Sequence, residues 1–205
     1  MYSTLPSFVL GFHGCDKAVC EKIISGLDTL RNSTNEYDWL GHGMYFWEND
    51  PNRALEYAEL LKKHPERTTT PITTPYVLGA VIDLGRCLNL IEYKALDVLR
   101  GAYDMFAAAQ KKAGLPLPAQ KPLSEERDVL KRPLDCAVIE SLHQYLYDNK
   151  KAEYHSVRGV FWEGGDLYTN AGFKTKNHIQ ICVRNPNCIK GYFLPQRENT
   201  SFPIP

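Results

Sequence analysis

The chain has 205 residues, 43% of them hydrophobic and 23% charged, which is enough for one domain with a sizeable core. Its 24 basic and 24 acidic residues cancel, which excludes a general electrostatic attraction to nucleic acid but not a local basic patch. No run approaches the roughly 18 apolar residues that span a bilayer, and no signal-peptide pattern opens the sequence. We therefore expect a cytoplasmic protein without membrane contact.

The six cysteines contain no Cys-x-x-Cys pair, and a chain of this size does not need cross-links. We expect free thiols in a reducing compartment. Cys15, Cys20 and His13 lack a fourth ligand at zinc-like spacing, so we expect no metal site.

The first predicted elements are a strand and two helices. Residues 7–13 are mostly apolar and end at a histidine between glycines, which is typical of a short strand. Asp16 caps a predicted helix, and Asp50 with Pro51 begins another after an aromatic segment over 39–47. The apolar residues of the first helix recur at helical spacing: Val19, Ile23, Ile24 and Leu27.

The middle of the chain alternates loops with longer elements. A polar loop over 64–75 precedes an apolar strand over 76–84, which we expect to be buried on both faces. Helices are predicted over about 92–112, with a stripe containing Leu96 and Tyr103, and over 133–149. The prolines of 114–122 indicate an exposed connection between them. Three apolar strands close the chain: 157–162, 179–183 and 189–194. This order predicts an α+β protein with one mixed sheet or two packed sheets.

The end of the first strand is the first candidate site. Glycines flank the Phe12-His13 pair, so a ligand can approach the backbone closely at Gly14. The alternative is a histidine whose hydrogen bonds are satisfied inside a turn.

The segment Gly41-His42-Gly43-Met44-Tyr45-Phe46 is the second candidate. It precedes a helix that carries Tyr57, and two tyrosines on a strand and the next helix can face each other across a slot. A flat heteroaromatic ring between two phenols gains about 1 kcal/mol per stacked pair. The glycines at 41 and 43 favour open space in front of Tyr45, whereas the alternative places both tyrosines in the core.

The third candidate is the late strand around Gln180. Alternation puts Ile179, Ile181 and Val183 on one face and a polar set on the other. That set is His178, Gln180 and Cys182. A polar face toward a cleft is typical of an active-site strand, and an edge strand with a solvated face is the alternative.

Together these motifs resemble the ADP-ribosyltransferase superfamily, in its diphtheria-toxin and poly(ADP-ribose) polymerase branch. The matching features are His13-Gly14 on an early strand, the Gly-x-Gly-x-Tyr-Phe segment ending at Phe46, and Tyr57 on the following helix. The resemblance implies an ADP-ribosyltransferase-like split β-sheet core in a single domain over 1–205. Residues 85–155 would be a mainly helical insertion between the N- and C-terminal strands.

The resemblance also implies NAD⁺ as co-substrate. His13 would bond the adenosine ribose, and the Gly14 backbone would clamp the nicotinamide amide. Gly43 belongs to the same cofactor-binding motif, in which Tyr45 and Tyr57 would sandwich the nicotinamide ring. Cleavage of the nicotinamide–ribose bond passes through an oxocarbenium-like state, as in glycoside hydrolysis.

The sequence departs from this family at the residue that completes the site. Many members have a glutamate on the late strand, and Gln180 stands here instead. A glutamine accepts the same hydrogen bond but cannot act as a base, which favours mono-ADP-ribosylation over polymer elongation. Glu163 could compensate, unless it is only a turn carboxylate, or His178 could accept the proton. Ala54 replaces the small hydroxyl residue often found three positions before the helical tyrosine.

Three functions remain open. The first is an ADP-ribosyltransferase acting on a protein, nucleic acid or small-molecule acceptor. By analogy it would be a toxin or defence effector with an antitoxin or immunity partner. The second is an NAD⁺ glycohydrolase, and the third is a non-catalytic module that binds NAD⁺ or ADP-ribose.

Overall fold

The computed structural model describes residues 8–120, 131–196 and 200–201. These residues form seven strands: β1 (Val9–Asp16), β2 (Met44–Glu48), β3 (Pro75–Ile82), β4 (Cys87–Asn89), β5 (Ser156–Phe161), β6 (His178–Val183) and β7 (Ile189–Phe193). They also form four α-helices: α1 (Lys17–Ile24), α2 (Pro51–Lys63), α3 (Tyr93–Ala113) and α4 (Pro133–Asp148). The protein is therefore α+β, as the sequence predicted.

All seven strands belong to one mixed sheet in the order β4-β5-β6-β2-β1-β3-β7. Neighbouring strands are antiparallel except β4 and β5, which are parallel. A parallel pair needs a long crossover, and α3 and α4 provide it between these two strands. Of the two predicted arrangements, the single mixed sheet is the correct one.

The two faces of the sheet are covered by different helices. On β3, Val77 packs with α2 through Ala54, whereas Leu78, on the opposite face, packs with α1 through Cys20. The face with α2 continues over β5 and β6, where α4 buries Val157 and covers the sheet together with α3. Helices α2 and α4 therefore share one face and leave the site region between them.

Strand β1 pairs with its two neighbours very differently. It pairs with β3 along its whole length, from Val9 opposite Ile82 to Asp16 opposite Pro75. With β2 the register contains only Gly11 and Phe12. Beyond Phe12 the two strands diverge, and this gap is called the β1–β2 split below.

The predicted helix starts are confirmed. Asp16 Oδ1 accepts from the backbone N–H of Ala18 at 2.9 Å, and Asp50 Oδ1 accepts from Arg53 N–H at 2.9 Å. The extent of α1 was wrong, because the helix ends at Ile24 and Leu27 lies outside it, 81% exposed. The cause is Gly26, whose φ of +73° is the left-handed conformation that ends helices.

The predicted strand β3 and helices α3 and α4 are confirmed, with Val138, Leu142 and Leu146 of α4 buried. The stripe of α3 is only partly covered: Ala102 is buried, whereas Leu96 is 45% and Tyr103 38% exposed. Residues 114–120 belong to no helix or strand, as expected for the predicted connection. The last two residues of that connection, 121–122, and Ser7 of the first predicted strand lie outside the described residues. Strand β4 was missed, since three residues carry no periodic signal.

Among the described helices, none combines the length and hydrophobicity needed to cross a membrane.

Candidate functional site

The imidazole of His13 occupies the β1–β2 split. Leu10 O accepts from Asn49 N–H at 3.0 Å, so alternate residues of β1 direct their peptide groups toward β2. A continued ladder would next join Gly14 to Tyr45. Instead, His13 Nδ1 donates to the carbonyl oxygen of Tyr45 at 2.8 Å. The side chain of His13 therefore replaces a backbone hydrogen bond at the point where the strands separate.

This hydrogen bond fixes the tautomer of the neutral His13 ring. A carbonyl oxygen can only accept, so Nδ1 carries the proton and Nε2 is the acceptor in the neutral ring. Burial lowers the pKa of His13, and the bond to Tyr45 only partly opposes this effect. The alternative of a histidine inside a turn was wrong, because His13 lies within β1.

Gly14 lies between the split and α2. By the alternation of β1, its peptide groups point toward the split. A Cβ atom at Gly14 would lie 2.0 Å from the carbonyl oxygen of Ala54 in α2. Glycine is therefore required for the packing of α2 on β1, and a ligand can reach Gly14 only along its peptide edge.

Tyr45 is anchored by its hydroxyl group, which donates to Gly41 O at 2.7 Å and accepts from Leu40 N–H at 2.8 Å. The expectation that the glycines open space in front of Tyr45 was wrong. A Cβ atom at Gly41 would meet Glu140 Oε1 at 2.5 Å, and one at Gly43 would meet Cys182 Sγ at 2.5 Å. Both glycines allow close packing of the loop that holds the tyrosine.

Tyr57 packs against Trp47, with ring centroids 5.1 Å apart, and is 40% exposed. Trp47 is two residues after Tyr45 on β2 and shares its face of the sheet. The indole therefore lies against the Tyr57 ring on the side where a stacked ligand was expected. Sequence reasoning missed Trp47, although alternation from Tyr45 places it on this face.

The late strand β6 lies between β5 and β2, so the edge-strand alternative was wrong. The predicted alternation is confirmed: Ile181 and Val183 pack with β2 and β3 on one face. Gln180 is opposite both Trp47 of β2 and Gly159 of β5. The polar face is nevertheless covered, with His178 7% and Gln180 9% exposed.

His178 fixes the orientation of the Gln180 amide. His178 Nδ1 donates to Lys176 O at 2.7 Å, so Nε2 is unprotonated and accepts from the Gln180 amide nitrogen at 3.0 Å. The Gln180 Oε1 atom is thereby left as a hydrogen-bond acceptor. Both nitrogens of His178 are engaged and burial lowers its pKa, so the geometry favours positioning of Gln180 over proton transfer.

Glu163 lies beside these residues, in the connection between β5 and β6. One carboxylate oxygen, Oε2, is 3.2 Å from Arg53 Nη2 and 3.8 Å from His178 Nδ1. The side chain is 18% exposed. The structure therefore brings together all three late candidates, Glu163, His178 and Gln180, with Glu163 held in an ion pair.

Aromatic side chains surround His178, at centroid distances of 5.6 Å for Phe161, 6.3 Å for Trp47 and 6.4 Å for Trp39. With Tyr57 they form a group that we call the aromatic cluster: Trp39, Trp47, Tyr57 and Phe161. The sequence analysis did not assign Trp39 or Phe161 to the site. Gln180 beside His178 is only 9% exposed, so neighbouring side chains have to move before a ligand can reach it.

Two cavities among the described residues lie away from the aromatic cluster. One of about 630 Å³ is bounded by His42, Glu140 and Arg184, and an apolar one of about 400 Å³ lies beside Met44 and Tyr192. Within the described part of the chain, no three His, Cys, Asp or Glu side chains are grouped as metal ligands.

The chain matches no family model, no curated protein and no solved structure.

Proposed function

We propose that the protein is an NAD⁺-dependent ADP-ribosyltransferase that cleaves the nicotinamide–ribose bond and transfers one ADP-ribose unit to an acceptor. The observation that carries the proposal is the convergence of distant motifs. His13 and Gly14 lie on β1, Tyr45 on β2, Gln180 on β6 and Tyr57 on α2, around three adjacent strands. In this proposal the β1–β2 split serves as the split of the family's β-sheet core.

His13 and Gly14 bind the two ends of the co-substrate in this proposal. The Nε2 atom of His13 is an acceptor, which suits a hydroxyl group of the adenosine ribose. The carbonyl group of Gly14 points into the split and suits the NH₂ of the nicotinamide amide, which is a hydrogen-bond donor. The fixed tautomer of His13 limits the rearrangement that binding requires.

Gln180 accepts a hydrogen bond from the 2′-hydroxyl of the nicotinamide ribose. His178 holds the Gln180 nitrogen, so Oε1 is available for this contact. An uncharged acceptor stabilises an oxocarbenium-like state less than a carboxylate does. Glu163 provides the nearby negative charge, although Arg53 at 3.2 Å reduces its effect. This arrangement supports a single transfer to a good nucleophile.

The test is nicotinamide release from NAD⁺ by the purified protein. We expect release to fall at least about 100-fold in Gln180→Ala, the size of loss seen when one transition-state hydrogen bond is removed. Tyr57→Ala should lose release as well, because it removes a wall of the site. Matched controls are Gln144→Ala and Tyr147→Ala on the exposed side of α4, where Tyr147 is 68% exposed.

A non-catalytic NAD⁺-binding module is the second candidate. It is favoured by the lack of an unpaired carboxylate beside Gln180 among the described residues, since Arg53 pairs with Glu163. Calorimetric binding of NAD⁺ without release would support this candidate over the transferase. Release without label transfer to any added protein, nucleic acid or small molecule would indicate a glycohydrolase. The absence of both NAD⁺ binding and nicotinamide release would contradict the whole proposal.

A further inference from the structure

Two buried N–H groups beside the aromatic cluster have no hydrogen-bond partner among the described residues. They are Trp47 Nε1 and Arg53 Nε. Trp47 is 6% exposed, and the Arg53 side chain is 14% exposed. Buried donors are almost always satisfied in folded proteins, because an unmade hydrogen bond is costly. Two such donors on side chains that both neighbour Tyr57 point to a group that a ligand supplies.

Both donors belong to the same part of the site. Arg53 precedes Tyr57 by one helical turn, so the two side chains share a face of α2. The Tyr57 ring packs on Trp47, and Trp47 packs toward His178. The unpaired donors therefore lie where aromatic rings are already stacked.

The surrounding charges restrict the chemistry of the ligand. The other guanidinium nitrogens of Arg53 contact Glu56 and Glu163, and Lys176 contacts Glu56 at 2.6 Å. Arg132, which lies over the Trp39 and Phe161 rings, and Asp50 act on His178 with opposite signs. Cations and carboxylates therefore balance around the site, so it does not favour an anion. A hydroxyl group would bring a further donor. A carbonyl oxygen has two lone pairs, accepts two N–H groups and brings no charge. Attached to a flat ring, it fits both the donors and the aromatic cluster.

We infer that Trp47 Nε1–H and Arg53 Nε–H recognise the carboxamide oxygen on the pyridine ring of NAD⁺. This inference rests on the proposed function and adds which side chains recognise one group of the co-substrate, its carboxamide. The ring enters between Trp47 and Tyr57, which is 40% exposed, and Tyr57 moves outward but remains a wall of the site.

The test compares two ligands by calorimetry: NAD⁺ and the NAD⁺ analogue whose pyridine ring lacks the carboxamide. Trp47→Phe removes the N–H and keeps an aromatic ring. We expect the wild-type protein to bind the analogue about tenfold more weakly than NAD⁺, because two hydrogen bonds are lost, and Trp47→Phe, which keeps the Arg53 donor, to retain a preference of only about threefold. Arg53→Lys, which keeps the charge beside Glu163, should reduce the preference in the same way.

The matched control is Trp162→Phe, because Trp162 is 59% exposed, and it should keep the full preference for the carboxamide. An equal loss of affinity for both ligands in Trp47→Phe would overturn the inference, since it would assign Trp47 a packing role. An unchanged preference would overturn it as well. If the wild-type protein binds neither dinucleotide, the proposed function itself fails, which is a different outcome from both.

Discussion

His143 is a buried histidine that no hydrogen bond compensates within the described structure. It lies in α4, is 3% exposed, and neither ring nitrogen has a hydrogen-bond partner; the nearest carboxylate oxygen, Glu153 Oε2, is 4.0 Å from Nδ1. Burial, together with the charge of Arg184, lowers its pKa from 6.5 to about 4. The unfolded chain therefore takes up a proton at a higher pH than the folded protein does, and stability falls as the pH drops from 6.5 toward 4.

Replacing His143 by leucine should stabilise the protein. We expect the free energy of unfolding at pH 7 to rise by about 1–2 kcal/mol, because a buried polar ring without partners is removed. The gain should increase by about 3 kcal/mol between pH 6.5 and 4, since the variant no longer has the depressed pKa. Urea unfolding at several pH values measures both effects. A difference between variant and wild type that does not change with pH would contradict this account.

Asp16 is the opposite case, a buried carboxylate with many donors. It accepts from Ala18 N–H, Thr73 N–H, Thr73 Oγ–H and Thr74 N–H at 2.7–2.9 Å. These bonds, with the Thr74 backbone first, lower its pKa from 3.8 to about 2. Because the folded-state pKa is the lower one, the stabilisation is present above about pH 4 and is lost as the pH falls toward 2.

We expect Asp16→Ala to lower the free energy of unfolding by about 3 kcal/mol at pH 7, because three N–H groups and a hydroxyl lose a charged acceptor. The loss should be smaller at pH 3, where the wild-type unfolded chain is already mostly protonated at this position. Asp28→Ala is the control, since Asp28 is only half-buried and bonds only its neighbour Thr29. Equal losses at pH 7 and pH 3 would argue against the charged interaction.

At the scale of elements, α2 packs on β1 by direct backbone contact. The Ala54 carbonyl is so near Gly14 that a Cβ atom there would lie 2.0 Å away. Gly14→Ala must therefore push the helix from the strand, and we expect a loss of at least about 3 kcal/mol. Gly101→Ala in α3 has open space around it and should gain about 1 kcal/mol. Thermal unfolding of both variants tests the pair, and a tolerated Gly14→Ala would refute the close packing.

Elements with strong local signals could be predicted from the sequence. The caps Asp16 and Asp50 and the periodicity of α4 are properties of short segments. The short strand β4 could not, because its existence depends on pairing with β5, almost 70 residues later in the chain. The limited burial of α3 depends likewise on which layer of the protein it joins.

The same distinction applies to the candidate site. The alternation that presents His178 and Gln180 together follows from the sequence of β6. The packing of Trp39 and Phe161 around His178 does not, since it brings together side chains from three distant segments. The role of the glycines at 41 and 43 was misjudged for this reason: the atoms that fill the adjacent space belong to α4 and β6.

At the scale of the whole molecule, Glu140 joins the helical layer to the sheet. From α4 it contacts both terminal nitrogens of Arg184, which follows β6, and its Oε1 accepts from His42 N–H at 2.8 Å. His42 lies in the loop whose Gly41 carbonyl accepts from the Tyr45 hydroxyl. One carboxylate therefore supports a helix, a strand end and the loop that positions a proposed ligand-binding residue.

Glu140→Ala should destabilise the protein by about 3 kcal/mol, because it leaves the largely buried Arg184 without its partner. In a transferase, nicotinamide release should also fall, since the Tyr45 loop loses a support. Glu59→Ala on the exposed side of α2 is the control and should change stability by less than about 0.5 kcal/mol. Urea denaturation and the release assay provide the two measurements. Unchanged stability in Glu140→Ala would contradict the proposed connection between the layers.

The β1–β2 split divides the sheet into two groups of strands that few backbone bonds join. β1, β3 and β7 form one group, and β2 with β6, β5 and β4 forms the other. Hydrogen–deuterium exchange measured at individual amides should detect this division. The His13 amide faces β3 and should exchange at the rate at which its own group of strands opens, whereas the neighbouring Gly14 amide faces the split and should exchange far faster. A ligand held in the split would shield the Gly14 amide from solvent and reduce this difference, so the exchange rate of a single peptide group reports whether the split is occupied.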